Sequence, residues 1–148
     1  MTKDVIHTSD APAAIGPYSQ AIRAGSTVYL SGQIGLDPKT GTMVEGLEAQ
    51  AHQVFRNLRA IAKAAGGGLD DVVKLSILVV DLGGFVKVNE IMSTYFKEPY
   101  PARATYQVSA LPRGGLIEVE AIVVLPGASG AANAQTGARE TFDQTKGQ

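Results

Sequence analysis

Residues 101–125 decide the fold of this 148-residue chain, and they read Pro-Ala-Arg-Ala-Thr-Tyr-Gln-Val-Ser-Ala-Leu-Pro-Arg-Gly-Gly-Leu-Ile-Glu-Val-Glu-Ala-Ile-Val-Val-Leu. The alternation over Arg103–Ser109 predicts a strand with Arg103, Thr105 and Gln107 on one face. Leu111–Gly115 supplies Pro and Gly, which are typical of a turn. Leu116–Leu125 is the next strand. Because it becomes apolar on both faces, it must be covered on both faces.

The second strand carries Glu118 and Glu120 on one face, and Arg103 lies on the strand before it. The planar guanidinium of arginine pairs with a carboxylate through two hydrogen bonds, and a nearby glutamate can handle a proton or a water. This combination suits a small carboxylated substrate. The alternative is a structural ion-pair network or solvated charges, and spacing alone favours that alternative.

Composition limits the classes of function. The chain has a net charge of −1, no cysteine and 18% charged residues. These values predict one ordinary globular domain without an electrostatic footprint for nucleic acid, without disulfides and without thiolate chemistry. No run of residues reaches transmembrane length or resembles a signal peptide, so we expect a cytoplasmic protein with no membrane partner. Nothing in the sequence predicts a cofactor or a metal site.

Hydrophobic periodicity predicts six strands and two helices. Besides the two strands above, the predicted elements are a strand at Val5–Thr8, two strands within Ala21–Ser31 joined at Gly25-Ser26, a helix at Leu47–Ala65, a strand at Asp71–Val80 and a helix at Gly84–Phe96. Residues 1–126 then form a single domain, and residues 127–148 form a low-complexity tail rich in small and polar residues.

Two finer predictions concern single faces. Val73, Leu75, Ile77 and Val79 are expected to share one face of their strand, and His52 is expected to be exposed on its helix. Two helices cover only one face of such a sheet. The other face is apolar at its last strand, so we expect a homo-oligomer that covers it.

Three segments together resemble the RidA/YjgF family of reactive-intermediate deaminases, also called the endoribonuclease L-PSP family. They are Tyr100–Thr105, Ala110-Leu111-Pro112 and Ile117–Ala121, and the resemblance runs in one register from Ile6 to Leu125. It implies an α+β, chorismate-mutase-like fold with a six-stranded mixed sheet, two helices on one face, and a homotrimer whose pockets lie between subunits.

The resemblance also implies hydrolysis of enamine and imine acids, such as 2-aminoacrylate and 2-iminobutanoate, to 2-keto acids and ammonia without a cofactor. Arg103 would then hold the substrate carboxylate, and Glu118 would orient or deprotonate the attacking water. The implied substrate-binding residues are Tyr18, Ser31, Gly32, Gln33, Asn89 and Thr105. Many family members have cysteine where this chain has Thr105, which affects the shape of the pocket more than the chemistry.

Two other functions remain as alternatives. One is a non-catalytic small-molecule-binding or chaperone-like regulator that uses the same pocket between subunits. The other is a ribonuclease, which the slightly acidic net charge, the 6% aromatic content and the lack of a histidine pair argue against.

Overall fold

The computed structural model describes residues 2–127, so the predicted tail falls outside the described residues except for Gly127. Every predicted strand and helix is present, with small shifts at the ends. The elements are β1 (Asp4–Ile6), β2 (Ala21–Ala24), β3 (Thr27–Ile34), α1 (Leu47–Ala64), β4 (Val72–Val79), α2 (Phe85–Met92), β5 (Ala102–Gln107) and β6 (Ile117–Val124).

The six strands form one mixed sheet in the order β1-β2-β3-β6-β4-β5. Only β4 and β5 pair in parallel, and the chain crosses between them through α2. Helix α1 packs on β3 and β6, and α2 packs on α1. The architecture is therefore α+β, as the sequence predicts.

Helix α1 supplies much of the core. Val54, Leu58 and Ile61 on its predicted apolar stripe are fully buried. The helix ends where the sequence predicts, because Gly66 adopts a φ of 99° and Gly67 N–H donates to the Ala62 carbonyl at 3.0 Å. This is the Schellman arrangement, in which glycine takes the left-handed conformation that other residues avoid.

The prediction for Val73 was wrong. The pairing of β4 with β6 shifts register between Val72 and Lys74. As a result Val72 is buried with 6% of its surface exposed, while Val73 is 46% exposed. Alternation along the sequence cannot reveal such a bulge, because the extra residue is defined only by the partner strand.

The prediction for His52 was also wrong. His52 is half-buried, and its Nδ1 lies 2.8 Å from the hydroxyl of Tyr95. Tyr95 follows α2, which is shorter than the predicted helix and ends at Met92. Periodicity along α1 does not show which side chain packs over it from elsewhere in the chain.

Local side-chain hydrogen bonds form in the turn before α2 and in the turn after it. The Asp81 carboxylate accepts from Gly83 N–H at 2.8 Å, in the short 3₁₀ turn that leads into the helix. After the helix, the hydroxyls of Ser93 and Thr94 each donate to a backbone carbonyl at 2.7 Å. Hydroxyl bonds of this kind compete with the helical pattern.

The sheet face opposite the helices, called here the far face, carries large apolar side chains. Tyr29, Tyr106 and Val124 are 51%, 56% and 41% exposed.

Within residues 2–127, no helix is long and apolar enough to cross a membrane.

The bulge in β4 can be tested by truncating two residues of the same strand. Ile77→Ala should lower the free energy of unfolding by about 2–5 kcal/mol, because Ile77 is fully buried. Val73→Ala should change it by less than about 0.5 kcal/mol. Urea denaturation at one fixed protein concentration measures both. Equal losses for the two variants would contradict the bulge.

Candidate functional site

A cleft of about 420 Å³ opens on the far face, next to the predicted acid; it is called here the acid cleft. Ile15, Ile34 and Leu36 give it an apolar wall. Its polar lining consists of Tyr18, Ser31, Gln33, Arg113, Glu118 and Glu120, together with the backbone of Gly32.

A bulge in β3 shapes the acid cleft. The pairing of β3 with β6 shifts register between Leu30 and Gln33, which sets Ser31 and Gly32 out of the regular ladder. The Glu118 carboxyl packs directly against Gly32, where an added Cβ would lie 2.9 Å from the Glu118 Cδ. A side chain at position 32 would block this approach, so Gly32 provides the space that the acid occupies.

The surroundings of Glu118 alter its acidity. Burial raises the pKa of the Glu118 carboxyl, and the nearby charge of Glu120 raises it further. Both effects disfavour the charged form. A carboxyl whose pKa is moved toward neutrality is better suited to exchange protons with a substrate or a water.

Arg103 lies in a different cleft, of about 490 Å³, called here the arginine cleft. Its Nη1 donates to the Asn89 Oδ1 at 2.6 Å, and its guanidinium carbon lies 5.2 Å from the ring centroid of Phe85. Tyr100 and Pro101 line the same cleft. Helix α2 therefore orients an exposed guanidinium, and Asn89 acts on Arg103 in this chain.

One subunit does not bring Arg103 and Glu118 together. Arg103 pairs with Leu75, which is buried beneath the helices, whereas Glu118 pairs with Leu78. Successive side chains of a strand point to opposite faces. The two groups therefore lie on opposite faces of the sheet, and β4 separates their strands.

The predicted site residues divide between these two clefts. The acid cleft collects Tyr18, Ser31, Gly32, Gln33 and Glu118, and the arginine cleft collects Asn89 and Arg103. Thr105 lines neither cleft, and its hydroxyl is buried without a hydrogen-bond partner among residues 2–127.

The Ser31 hydroxyl is already engaged. It donates to the Ser19 carbonyl at 2.6 Å, so it can offer a ligand only acceptor capacity.

Sequence reasoning missed three residues near the acid cleft: Ile15, Arg113 and the buried Gln50. The one signal in the sequence was the Pro112-Arg113-Gly114-Gly115 turn. In the structure Arg113 has a φ of 56°, which is unusual for a residue with a side chain. Residues 2–127 contain no group of three or more His, Cys, Asp or Glu residues able to hold a metal ion.

The raised pKa of Glu118 predicts a pH-dependent difference in stability between the wild type and Glu118→Gln. A carboxyl with a raised folded-state pKa costs stability as pH rises through that pKa, because the unfolded chain ionises more readily. Glutamine does not titrate. The free energy of unfolding of the variant, relative to that of the wild type, should therefore increase as pH rises toward neutrality. The increase begins at about pH 4, near the unperturbed pKa of glutamate.

Urea denaturation across this pH range measures the effect, and Glu48→Gln controls for the loss of one negative charge at an exposed position. A difference between wild type and Glu118→Gln that stays constant with pH would contradict the effect of burial.

Comparison with known proteins places this geometry in a family. Residues 8–125 match the family model described as Endoribonuclease L-PSP. The chain is 53% identical over 123 residues to the 2-iminobutanoate/2-iminopropanoate deaminase of Mus musculus, covering 82% of this chain and 91% of that protein.

Solved structures agree with this match. RidA from an Antarctic Psychrobacter superposes with a TM-score of 0.81 at 52% identity, covering 82% of this chain and 99% of that one. TdcF of E. coli with bound serine has a TM-score of 0.80 at 37% identity, with coverages of 83% and 99%. The chain therefore belongs to the RidA/YjgF family, whose model is described as endoribonuclease L-PSP.

Proposed function

We propose that this chain hydrolyses small enamine and imine acids, such as 2-aminoacrylate and 2-iminobutanoate, to 2-keto acids and ammonia. The proposal depends on the presence of both an Arg103 oriented by α2 and a half-buried Glu118 in this chain. The chain is also 53% identical to the mouse deaminase. No cofactor takes part in the proposed reaction.

Arg103 binds the substrate carboxylate in this proposal. Its guanidinium is exposed, and only one of its nitrogens is bonded to the Asn89 oxygen, so other N–H groups remain to form a paired contact. Each charge-assisted hydrogen bond contributes about 1.5–3 kcal/mol, which is enough to orient a small substrate. The structure of the related TdcF contains bound serine, which supports a small carboxylated ligand but does not identify the residue that holds its carboxylate.

Glu118 acts on water. An enamine first tautomerises to its imine, and a water held by Glu118, with help from a backbone carbonyl near Thr105, then attacks the imine carbon. Glu118 accepts the proton as the new C–O bond forms and returns it to the nitrogen. This gives a carbinolamine, whose hydroxyl proton then passes through Glu118 to the nitrogen. The C–N bond breaks as that proton arrives, so ammonia leaves and the carbonyl of the keto acid forms. Because these imines are reactive, positioning one water supplies much of the required acceleration.

The complete site forms between two subunits of a homotrimer. Two observations support this assembly: the far face exposes Tyr29, Tyr106 and Val124, and one subunit keeps Arg103 and Glu118 on opposite faces of its sheet. A neighbouring subunit that covers the far face places its Arg103 opposite the acid cleft. Tyr18, Gln33 and Thr105 complete the pocket in this arrangement.

Trapping of the imine tests the activity. 2-Iminobutanoate is generated by a threonine dehydratase in the presence of semicarbazide, and added wild-type protein should suppress the semicarbazone. Arg103→Ala should lose at least about 100-fold in kcat/KM, while Arg103→Lys should lose less, because lysine keeps the charge but not the planar fork.

If the wild-type protein does not suppress the semicarbazone of either 2-iminobutanoate or 2-aminoacrylate, the deaminase proposal is wrong and the non-catalytic binding protein is favoured. Circular dichroism shows whether each variant is folded.

Complementation tests the site between subunits. Arg103→Ala and Glu118→Gln homotrimers should each be nearly inactive, but subunits mixed one to one by denaturation and refolding should regain roughly a quarter of the wild-type activity in a cyclic trimer. The reason is that some contacts then pair an intact Arg103 with an intact Glu118. No recovery after proven subunit exchange would contradict a shared site.

A further inference from the structure

Gln50 is a buried amide at the start of α1, with 4% of its surface exposed. Both ends of its side-chain amide are bonded to backbone. Its Oε1 accepts from Leu116 N–H at 2.8 Å, and its Nε2 donates to the Val44 carbonyl at 3.0 Å. Gln50 thus joins α1 to the loop after β3 and to the residue immediately before β6.

The side chain of Gln50 has little room to move. A Cβ added at Gly35 would lie 2.8 Å from the Gln50 Cβ, so the glutamine packs tightly against the backbone that leaves β3. The other backbone group of Leu116 is also held, because its carbonyl accepts from Val80 N–H at 3.2 Å. Leu116 is therefore fixed on one side by α1 and on the other by the end of β4.

The loop before Leu116 has few other ties to the rest of the subunit. Arg113 and Gly114 have φ values of 56° and 71°, and Gly115 N–H donates back to the Pro112 carbonyl within the same turn. Arg113 also reaches the Gly41 carbonyl, at a long 3.4 Å. The short bond from Gln50 is the stronger anchor at the point where the loop becomes β6.

Glu118 follows this anchor by two residues. It is cross-strand partner to both Ile34 and Leu78, and its carboxyl lies where a side chain at position 32 would have to go. A small movement at the start of β6 therefore moves the carboxyl relative to Gly32 and to anything bound in the acid cleft. A displacement of about 1 Å is enough to lower a catalytic rate by roughly 100-fold.

We propose that Gln50 is a positioning residue for Glu118, fixing the start of β6 through Leu116 so that the carboxyl reaches the attacking water. The role rests on the deaminase function proposed above. Gln50 does not touch the substrate; it acts through the backbone that carries the acid.

A purely structural role for the amide is the alternative, and the chain contains a matched control for it. Asn57 lies two turns further along α1, is 1% exposed, and donates to the Leu36 carbonyl at 3.0 Å and more weakly to the Ile34 carbonyl. It satisfies buried backbone in the same way, but it bonds the segment at the end of β3 and makes no bond to Leu116.

Steady-state kinetics separate the two roles. Gln50→Met keeps an unbranched side chain of similar length and removes both hydrogen bonds. Asn57→Leu keeps the branched shape of the asparagine side chain and removes the hydrogen bonds of the control position. Gln50→Met should lower kcat by about 10- to 100-fold and leave KM within about twofold of wild type, because the carboxylate contact at Arg103 is untouched. Asn57 bonds the carbonyls of Ile34 and Leu36 in the wall of the acid cleft but not the start of β6, so Asn57→Leu should lower kcat clearly less than Gln50→Met does. Both variants should lose stability.

Gln50→Glu provides a rescue, because a glutamate oxygen can still accept from Leu116 N–H. Its kcat should lie nearer to wild type than that of Gln50→Met. If Gln50→Met does not fold, Gln50→Leu takes its place as the variant without the bond to Leu116. Equal losses of kcat for Gln50→Met and Asn57→Leu, or no loss for Gln50→Met, would overturn the positioning role. So would a Gln50→Glu protein no better than Gln50→Met.

A second readout does not depend on turnover. Carboxyl ¹³C NMR follows the titration of Glu118, whose acid-cleft neighbours include Glu120, Arg113 and Tyr18. In Gln50→Met the midpoint should shift toward that of ordinary glutamate, because a displaced carboxyl is less buried. Asn57→Leu should shift it less, because the bonds of Asn57 do not reach the start of β6. Inactive wild-type protein would end the deaminase proposal, yet this titration would still show whether Gln50 positions the acid.

Discussion

The close approach of the Glu118 carboxyl to the backbone of Gly32 is the constraint on which the rest of the site depends. A bulge in β3 and the absence of a side chain at position 32 create the space. The carboxyl then occupies a half-buried position beside Glu120, and burial raises its pKa. The strand register, the packing of the carboxyl and its raised pKa therefore depend on one another. A carboxyl on a regular, exposed strand would neither pack against a glycine in this way nor have a raised pKa.

Strand alternation separates the acid from the cation. Arg103 and Glu118 lie on opposite faces of one sheet, so the chemistry proposed for them requires a second subunit. The same requirement explains the exposed apolar residues of the far face, which a monomer would leave in water at a cost of about 25 cal/mol per Å². In the proposed trimer, one association between subunits would both cover that face and complete the site.

The two helices contribute orientation as well as a core. Helix α2 holds the guanidinium of Arg103 with Asn89 and Phe85, and α1 extends the buried amides of Gln50 and Asn57 to backbone groups near the acid cleft. Each buried polar group is costly unless it is paired, so these bonds also define one arrangement of the strands they join. Thr105 differs, since its buried hydroxyl has no partner within residues 2–127.

Local periodicity, turn residues and the segments around Arg103 and Glu118 were enough to predict the six strands, the two helices and the family. The sequence also named residues that the structure does gather into two clefts. The tertiary structure alone decided which residues meet. Two bulges, which expose Val73 and open the space at Gly32, depend on the register with a partner strand. The contact of His52 with Tyr95 and the bond from Leu116 to Gln50 also connect residues that are distant in sequence. Pairing register and long-range packing set these contacts, and a pattern read along one segment carries no information about its partner.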